Sequence, residues 1–310
     1  MKVLILGTSG QVGTELMRAA WPQGTELVGL ARPDVDMARP ETVEAAVAAH
    51  APGLAPDLVV NATAYTAVDK AESDQETAFA VNRDGPARLA ASCAACGIPL
   101  IHISTDYVFD GTKPAPYAED DPVAPLGVYG ASKEAGEAAV RAALPQHVIL
   151  RTSWVYAAHG ANFVKTMLRF GREREEMRVV ADQHGAPTAA ADIAAAIVTI
   201  AERIAAGSGA DGVPTGVPGD IPWGTYHFTG AGETTWHGFA ERIFQRLEAA
   251  TGRRPRLQAI TTADYPTPAR RPANSRLDCA RIRSAFGIEA PRWEDSLDRV
   301  LDELLSPTAS

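Results

Sequence analysis

Short apolar runs alternate with helical stretches through the first half of the chain, and this alternation constrains the fold more than any other feature. Lys2 to Leu6 (KVLIL), Glu26 to Leu30 (ELVGL), Asp57 to Asn61 (DLVVN), Pro99 to Ser104 (PLIHIS) and His147 to Ser153 (HVILRTS) read as strands. Several are apolar at consecutive positions, as strands buried on both faces must be. Between them the pattern predicts helices over Gln11 to Ala20, Pro40 to His50, Arg83 to Cys96 and Tyr129 to Leu144. Strand, helix and strand repeated in this way make parallel strands joined by right-handed crossovers. The expected class is therefore α/β, with a doubly wound parallel sheet.

After Thr152 the rhythm breaks and helices dominate. Gly207 to Gly224 (GSGADGVPTGVPGDIPWG) is loop by composition. TYHFTG reads as one more strand, and TTWHGFAERIFQRLEAA and RWEDSLDRVLDELL read as amphipathic helices closing the chain. A length of 310 residues suits one large domain plus a smaller one. The expected division is 1–152 for a dinucleotide-binding domain, with later returns near 186–204 and 225–230, and 153–310 mainly for a smaller substrate-binding lobe.

The first strand is followed at once by GTSGQVG, with Gly7, Gly10 and Gly13. Glycine removes the Cβ at a tight turn and lets the backbone approach a pyrophosphate. The next helix then offers its free N–H groups to that anion. A glycine triplet is weak evidence alone, but a strand before it and a helix after it are the context a Rossmann-type sheet requires. NAD specificity would call for an acidic residue at the end of the second strand. That strand instead runs into Arg32, with Asp34 and Asp36 slightly later. A guanidinium suits a 2′-phosphate, so NADPH is expected, with NADH also accepted, and Arg32 and Asp36 are candidate cofactor contacts.

Tyr129 and Lys133 lie four apart on the fourth predicted helix and so share a face. Tyr-x-x-x-Lys recurs by chance in many proteins. Here, though, the fourth strand delivers Ser104, Thr105 and Asp106 at its carboxyl end, where α/β sheets bind their ligands. A hydroxyl, a phenol and an ammonium can then converge. The expected chemistry is reduction of a carbonyl. Thr105 would hold the oxygen, Tyr129 would protonate it, and the Lys133 cation would lower the phenol's pKa from about 10.

This combination resembles the extended short-chain dehydrogenase/reductase family, and within it the dTDP-4-dehydrorhamnose reductases. The resemblance covers nearly the whole chain. It runs through GTSGQVG, PDLVVNATAYTAVDKAE, VNRDGPARLA, ISTDYVFDG, PLGVYGASKEAGE, LRTSWVY, GAPT and RRPANSRLD. It implies Thr105, Tyr129 and Lys133 as the catalytic triad. It implies Gly10, Gln11, Val12, Ala62, Ala64 and Tyr65 around the cofactor, with Tyr129 and Lys133 also touching it. It implies Thr66, Val68, Asp106, Tyr107 and Trp154 near the sugar nucleotide. Core packing is an equally physical role for Tyr107 and Trp154, since aromatics mostly pack. Asn82 is expected to fix a backbone turn. Arg271 and Asn274 either shape the second lobe or form a solvated basic turn.

Two departures from related enzymes bear on the activity. Sugar-nucleotide dehydratases carry Asp-Glu after the catalytic threonine, whereas this chain has Asp106-Tyr107, which favours plain ketone reduction. Some dehydrorhamnose reductases hold a magnesium ion between subunits with three glutamates. Glu15 and Glu294 match two of these, but the third position is Ala191, with Asp192 beside it, so no metal is assigned.

A net charge of −9 argues against nucleic acid as a partner. No stretch is long and apolar enough to span a bilayer. The apolar run Val3 to Leu6 is read as a strand rather than a signal peptide. Three cysteines fit a reducing, cytoplasmic compartment. Cys93 and Cys96 read as small packing residues on an alanine-rich helix. The partner expected is a small-molecule nucleotide sugar, and a homodimer is open. Two other functions are open as well. One is another nucleotide-sugar 4-ketoreductase of deoxysugar biosynthesis. The other is a non-catalytic dinucleotide-binding regulatory subunit, like the β-subunit of methionine adenosyltransferase, which is similar to the same group.

Overall fold

The computed structural model describes residues 1–48, 56–207 and 221–306. Its main sheet is built from β1 (Lys2–Leu6), β2 (Glu26–Leu30), β3 (Leu58–Asn61), β4 (Leu100–Thr105), β5 (His147–Thr152) and the later strand Gly224–His227. All pair in parallel, in the order Gly224–His227, β5, β4, β3, β1, β2. The chain steps outward from β1 to β2, then crosses back to β3, so the direction of winding reverses between β1 and β3. In open α/β sheets that reversal leaves a crevice at the carboxyl ends of the strands, where ligands bind.

Strand burial explains the sheet. Side chains alternate between its faces. Val3 and Ile5 join Leu58, Val60, Val12, Leu16 and Ile197 on one side. Leu4 and Leu6 join Val59, Leu89, Ile149 and Val140 on the other. Each such aliphatic side chain, fully buried, contributes about 1.5–3 kcal/mol. Helices Gln11–Arg18 and Ala190–Gly207 pack on each other over the first face, and Gly85–Cys96 and Val128–Ala143 pair over the second. Cys93 is buried in that second layer, where burial pushes its thiol up to about 12. A separate aromatic cluster of Tyr156, Phe239, Phe244 and Trp293 forms the core beyond the sheet.

The five predicted strands are present, with small shifts: Asp57, Pro99 and Ser153 fall outside, and Thr105 falls inside. The first helix stops at Arg18 rather than Ala20. The predicted Arg83–Cys96 helix begins at Gly85, because Ala80–Asp84 is a π-helical turn. Gly136 explains part of that distortion. A Cβ there would lie 2.0 Å from the Asn82 carbonyl, so the turn and the neighbouring helix are in direct backbone contact. The helix predicted over Pro40–His50 is seen as Pro40–Ala48, its last two residues lying outside the described ones. The predicted Gly207–Gly224 loop lies mostly outside them as well, over 208–220.

Beyond Thr152 the sequence pattern underestimates strands. Glu176–Val180 and Arg256–Ile260 form a parallel pair. Two shorter pairs join Val155–Tyr156 to Thr188–Ala189, and His184–Gly185 to Thr234–Thr235. Glu176–Val180 and Arg256–Ile260 carry charges and exposed positions, and the other strands are only two residues long, so none has the continuous apolar run that marks β1 or β3. Among the described residues no helix is long and apolar enough to cross a membrane.

Candidate active site

The glycine turn lies at the β1/β3 reversal. Gly7 has φ +94°, and a Cβ on it would meet the Ala62 backbone at 2.9 Å. A Cβ on Gly13 would fall 2.1 Å from the Gly7 carbonyl oxygen, so helix Gln11–Arg18 can start this close to the strand only with glycine there. Gly10 is the N-cap and supplies no side-chain cap, which leaves the first-turn N–H groups for an anion. Val12 is buried in the core under the sheet. Gln11 accepts a bond from Asn162 at 2.8 Å.

Ala62 to Tyr65 follow β3 alongside this turn. Asn82 holds the strip from below: its Oδ1 accepts from the Tyr65 N–H at 2.8 Å and its Nδ2 donates to the Tyr65 carbonyl at 3.1 Å. The Tyr65 phenol is turned away, donating to Asp74 at 3.0 Å. Arg32 is exposed just past β2, whose Leu30 carbonyl accepts from Gly7 N–H at 2.8 Å. Asp36 accepts from the Ala38 N–H at 3.0 Å, so its carboxylate is engaged in a local turn.

Thr105 ends β4 and caps the short turn Asp106–Val108, accepting from the Tyr107 N–H at 3.2 Å and donating to Asp106 Oδ1 at 3.0 Å. Helix Val128–Ala143 presses on that turn, because Gly130 leaves room for the Tyr107 carbonyl, 2.1 Å from where a Cβ would be. The contact places the Tyr129 phenol close enough to Thr105 for the hydroxyl to act on its titration. One turn on, buried Lys133 donates from Nζ to the Ile103 carbonyl at 2.7 Å. The three side chains singled out in the sequence therefore lie around the carboxyl end of β4, on the same edge of the sheet as the glycine turn.

The chain matches the RmlD substrate binding domain family over residues 1–306. This chain belongs to that family. It is 48% identical to the dTDP-4-dehydrorhamnose reductase of Sinorhizobium fredii over 305 residues, 98% of each chain. It is 41% identical to the Escherichia coli enzyme of the same name over the full length of both. In fold it is similar to a dTDP-4-dehydrorhamnose reductase from Clostridium acetobutylicum, with TM-score 0.86, 34% identity and coverage of 98% and 99%. The Bacillus anthracis protein of that name, solved in complex with NADP, gives TM-score 0.85 at 33% identity, covering 97% of this chain and 99% of its own.

The electrostatics of this RmlD-family chain correct one expectation. Burial pushes the Tyr129 phenol up to about 12, and the group that opposes the rise is Thr105, not Lys133. The ammonium is committed to the Ile103 carbonyl, and burial draws Lys133 itself down to about 8. A phenol held this high keeps its proton at neutral pH. Burial also lifts the Asp106 carboxyl to about 6, against bonds from Ser275 and Thr105.

A cavity of about 680 Å³ opens beside Tyr107, whose ring meets Tyr129 edge-on at 5.7 Å. Phe163, Phe170, Trp236 and Tyr265 give it aromatic walls, and Arg174, Arg178 and Arg271 give it positive charge. Sequence reasoning reached Tyr107 and Arg271 but missed the others, which come from segments distant in the chain and carry no local motif. Arg271 donates two hydrogen bonds to Asp69, from Nη1 to Oδ1 at 3.1 Å and from Nη2 to Oδ2 at 2.8 Å. Asn274 donates to the Lys113 and Ala115 carbonyls at 2.6 and 2.9 Å, so it fixes a loop rather than lying in a solvated turn. Trp154 has φ +48°, rare for a side chain this large. Its indole stacks on Trp236 at 3.7 Å and abuts Gly185, where a Cβ would reach the ring at 2.5 Å. Thr66 is exposed on the loop ahead of helix Val68–Ala71, and Val68 lies with Tyr107 and Tyr129 around a narrow cleft.

The residues present do not fit the magnesium site known among such enzymes. Glu15 bonds His159 at 2.6 Å, Glu294 bonds Arg292 at 2.8 Å, and Ala191 brings no ligand atom. Asp192 is taken by Arg299 and Ser296.

Proposed function

We propose that this chain catalyses NADPH-dependent reduction of the C4 ketone of dTDP-4-dehydro-6-deoxy-L-mannose (dTDP-4-dehydrorhamnose) to dTDP-L-rhamnose. The proximity of Thr105 and Tyr129 at the carboxyl end of β4, on the same sheet edge as the glycine turn, carries the reading. The nicotinamide, when bound, supplies the hydride. Gly7, Gly10 and Gly13 leave room for the pyrophosphate, and the first-turn N–H groups bind it. Arg32 faces the 2′-phosphate and selects NADPH.

Thr105 turns its one hydroxyl proton from Asp106 to the ketone oxygen and orients it. Tyr129 releases its phenolic proton to that oxygen as negative charge develops there. Lys133 offers its remaining N–H bonds toward the dinucleotide ribose. Residues 1–152, with the returns near 186–204 and 225–230, bind the dinucleotide, and the remainder mainly binds the sugar nucleotide. Aromatic walls and guanidinium groups of the cavity suit a base and a diphosphate. The test is oxidation of NADPH with dTDP-4-dehydrorhamnose, with the product identified as dTDP-L-rhamnose. No absorbance loss, or a product of another configuration, overturns the reading.

A further inference from the structure

Behind the Tyr129–Lys133 face runs a line of buried polar groups that the mechanism above does not use. Asn61, at the end of β3, and His102, in β4, are both fully buried. Asn61 Oδ1 accepts from the Thr63 backbone N–H at 3.0 Å and from its hydroxyl at 2.6 Å. A backbone N–H can only donate, so the amide oxygen is fixed on that side and the NH₂ on the other. The Asn61 NH₂ meets His102 Nδ1 at 3.0 Å. An amide NH₂ also only donates, so Nδ1 is the bare nitrogen of a neutral ring and Nε2 carries the proton. Burial, with Lys133 and His147 adding to it, holds His102 well below its usual pKa and hence neutral. Nε2 lies 3.5 Å from Lys133 Nζ.

We propose that His102 is a positioning residue for Lys133, its fixed Nε2–H denying the ammonium an acceptor on the imidazole and turning its protons toward the Ile103 carbonyl and the reaction site. The same N–H favours the neutral amine, so Lys133 becomes the more acidic for it. The other charged group acting on Lys133 is Glu137, one turn along its own helix, which is paired with Arg151 of β5 and with Arg141. On the site side stand Tyr129 and, beyond it, Asp106. Glu72 accepts from the Val128 N–H at the start of this helix at 2.9 Å, and the Arg83–Asp84 pair closes on itself.

The kinetic arm of the test rests on the reductase reading, and the spectroscopic arm does not. With [¹⁵N]histidine, the resonance lost in His102→Gln identifies His102. In the wild type it should show the Nε2–H form at neutral pH, and in Asn61→Leu it should switch to Nδ1–H as Nε2 turns acceptor for the ammonium. A wild-type ring protonated on Nδ1, or on both nitrogens, overturns the proposal. In kinetics, the alkaline limb of kcat/KM should move up by about one pH unit in Asn61→Leu. It should stay in place in His102→Gln, whose amide can put its oxygen on Asn61 and its NH₂ on Lys133. An unmoved limb in Asn61→Leu, or a moved one in His102→Gln, overturns it. Should Asn61→Leu not fold, the wild-type spectrum and the His102→Gln profile decide. Absence of any turnover in the wild type would sink the reductase reading, and the imidazole spectra would still decide this one.

Discussion

Gly130 sits against the Tyr107 carbonyl so closely that a Cβ on it would lie 2.1 Å from the oxygen. Backbone faces backbone here, so neither side can yield by a side-chain rotation. Gly130→Ala should push the helix away from the turn, costing about 1–3 kcal/mol in stability. Because the helix carries Tyr129 toward Thr105, kcat should fall by up to ~100-fold. Melting temperature and kcat measured together check this, and a variant with wild-type kcat would break the link between that contact and the chemistry.

Removing the phenolic hydroxyl is the direct test of the proton donor. Tyr129→Phe should lower turnover at least ~100-fold while NADPH affinity stays close to normal. Stopped-flow turnover and a cofactor titration separate the two quantities. Near-normal turnover would remove Tyr129 from the mechanism.

Arg32 is exposed past the end of β2 and is proposed to read the 2′-phosphate. Arg32→Ala should weaken NADPH more than NADH, by about tenfold if one charge-assisted contact of roughly 1.5 kcal/mol is lost. Equal losses for the two cofactors would show that Arg32 does not discriminate.

Glu137 and Arg151 form a bond at 2.6 Å with both side chains buried. Burial alone would raise the Glu137 carboxyl, but Arg151 outweighs it, and the group lies below its ordinary 4.5. Glu137→Ala leaves Arg151 charged and unpaired in the interior, at a cost of about 3–5 kcal/mol near neutral pH. A depressed folded pKa means that the pair's stabilisation is fully present above the unfolded value and is lost as pH falls through the folded one. The gap in unfolding free energy between wild type and Glu137→Ala should therefore narrow in acid below pH 4.5. A gap independent of pH would refute the ionic account.

Trp236 lines the cavity and Trp154 stacks behind it. Trp236→Ala should raise KM for the sugar nucleotide without changing NADPH affinity. Trp154→Ala should impair turnover of the same substrate, since the stack that supports Trp236 goes with it. Isothermal titration with dTDP and with NADPH distinguishes the sites, and a cofactor-binding defect in either variant would contradict the assignment.

How much was legible depends on how far apart in the chain the partners lie. The strand Lys2–Leu6 was readable because every residue after Lys2 is apolar and buried. Glu176–Val180 was not, because it alternates with charges and finds its partner some eighty residues later. The Tyr129–Lys133 spacing is local and visible. The acceptor of the ammonium, Ile103, lies on β4, thirty residues earlier, so the sequence suggested a tuning cation where the fold builds an anchored one. Trp236 had no signal at all, since its role comes from a cavity assembled by segments that only the fold brings together.

The strand Gly224–His227 pairs with β5 along Val148 to Arg151, although more than seventy residues separate them in the chain. A fragment ending at Thr152 would thus present β5 as a bare edge, apolar on both faces, ready to pair with another copy. The first half, proposed to bind the dinucleotide, cannot be transplanted as a cassette. Recombination that exchanges substrate preference in such a chain must leave this late strand with its first half, which confines workable crossover points to the loops on either side of it.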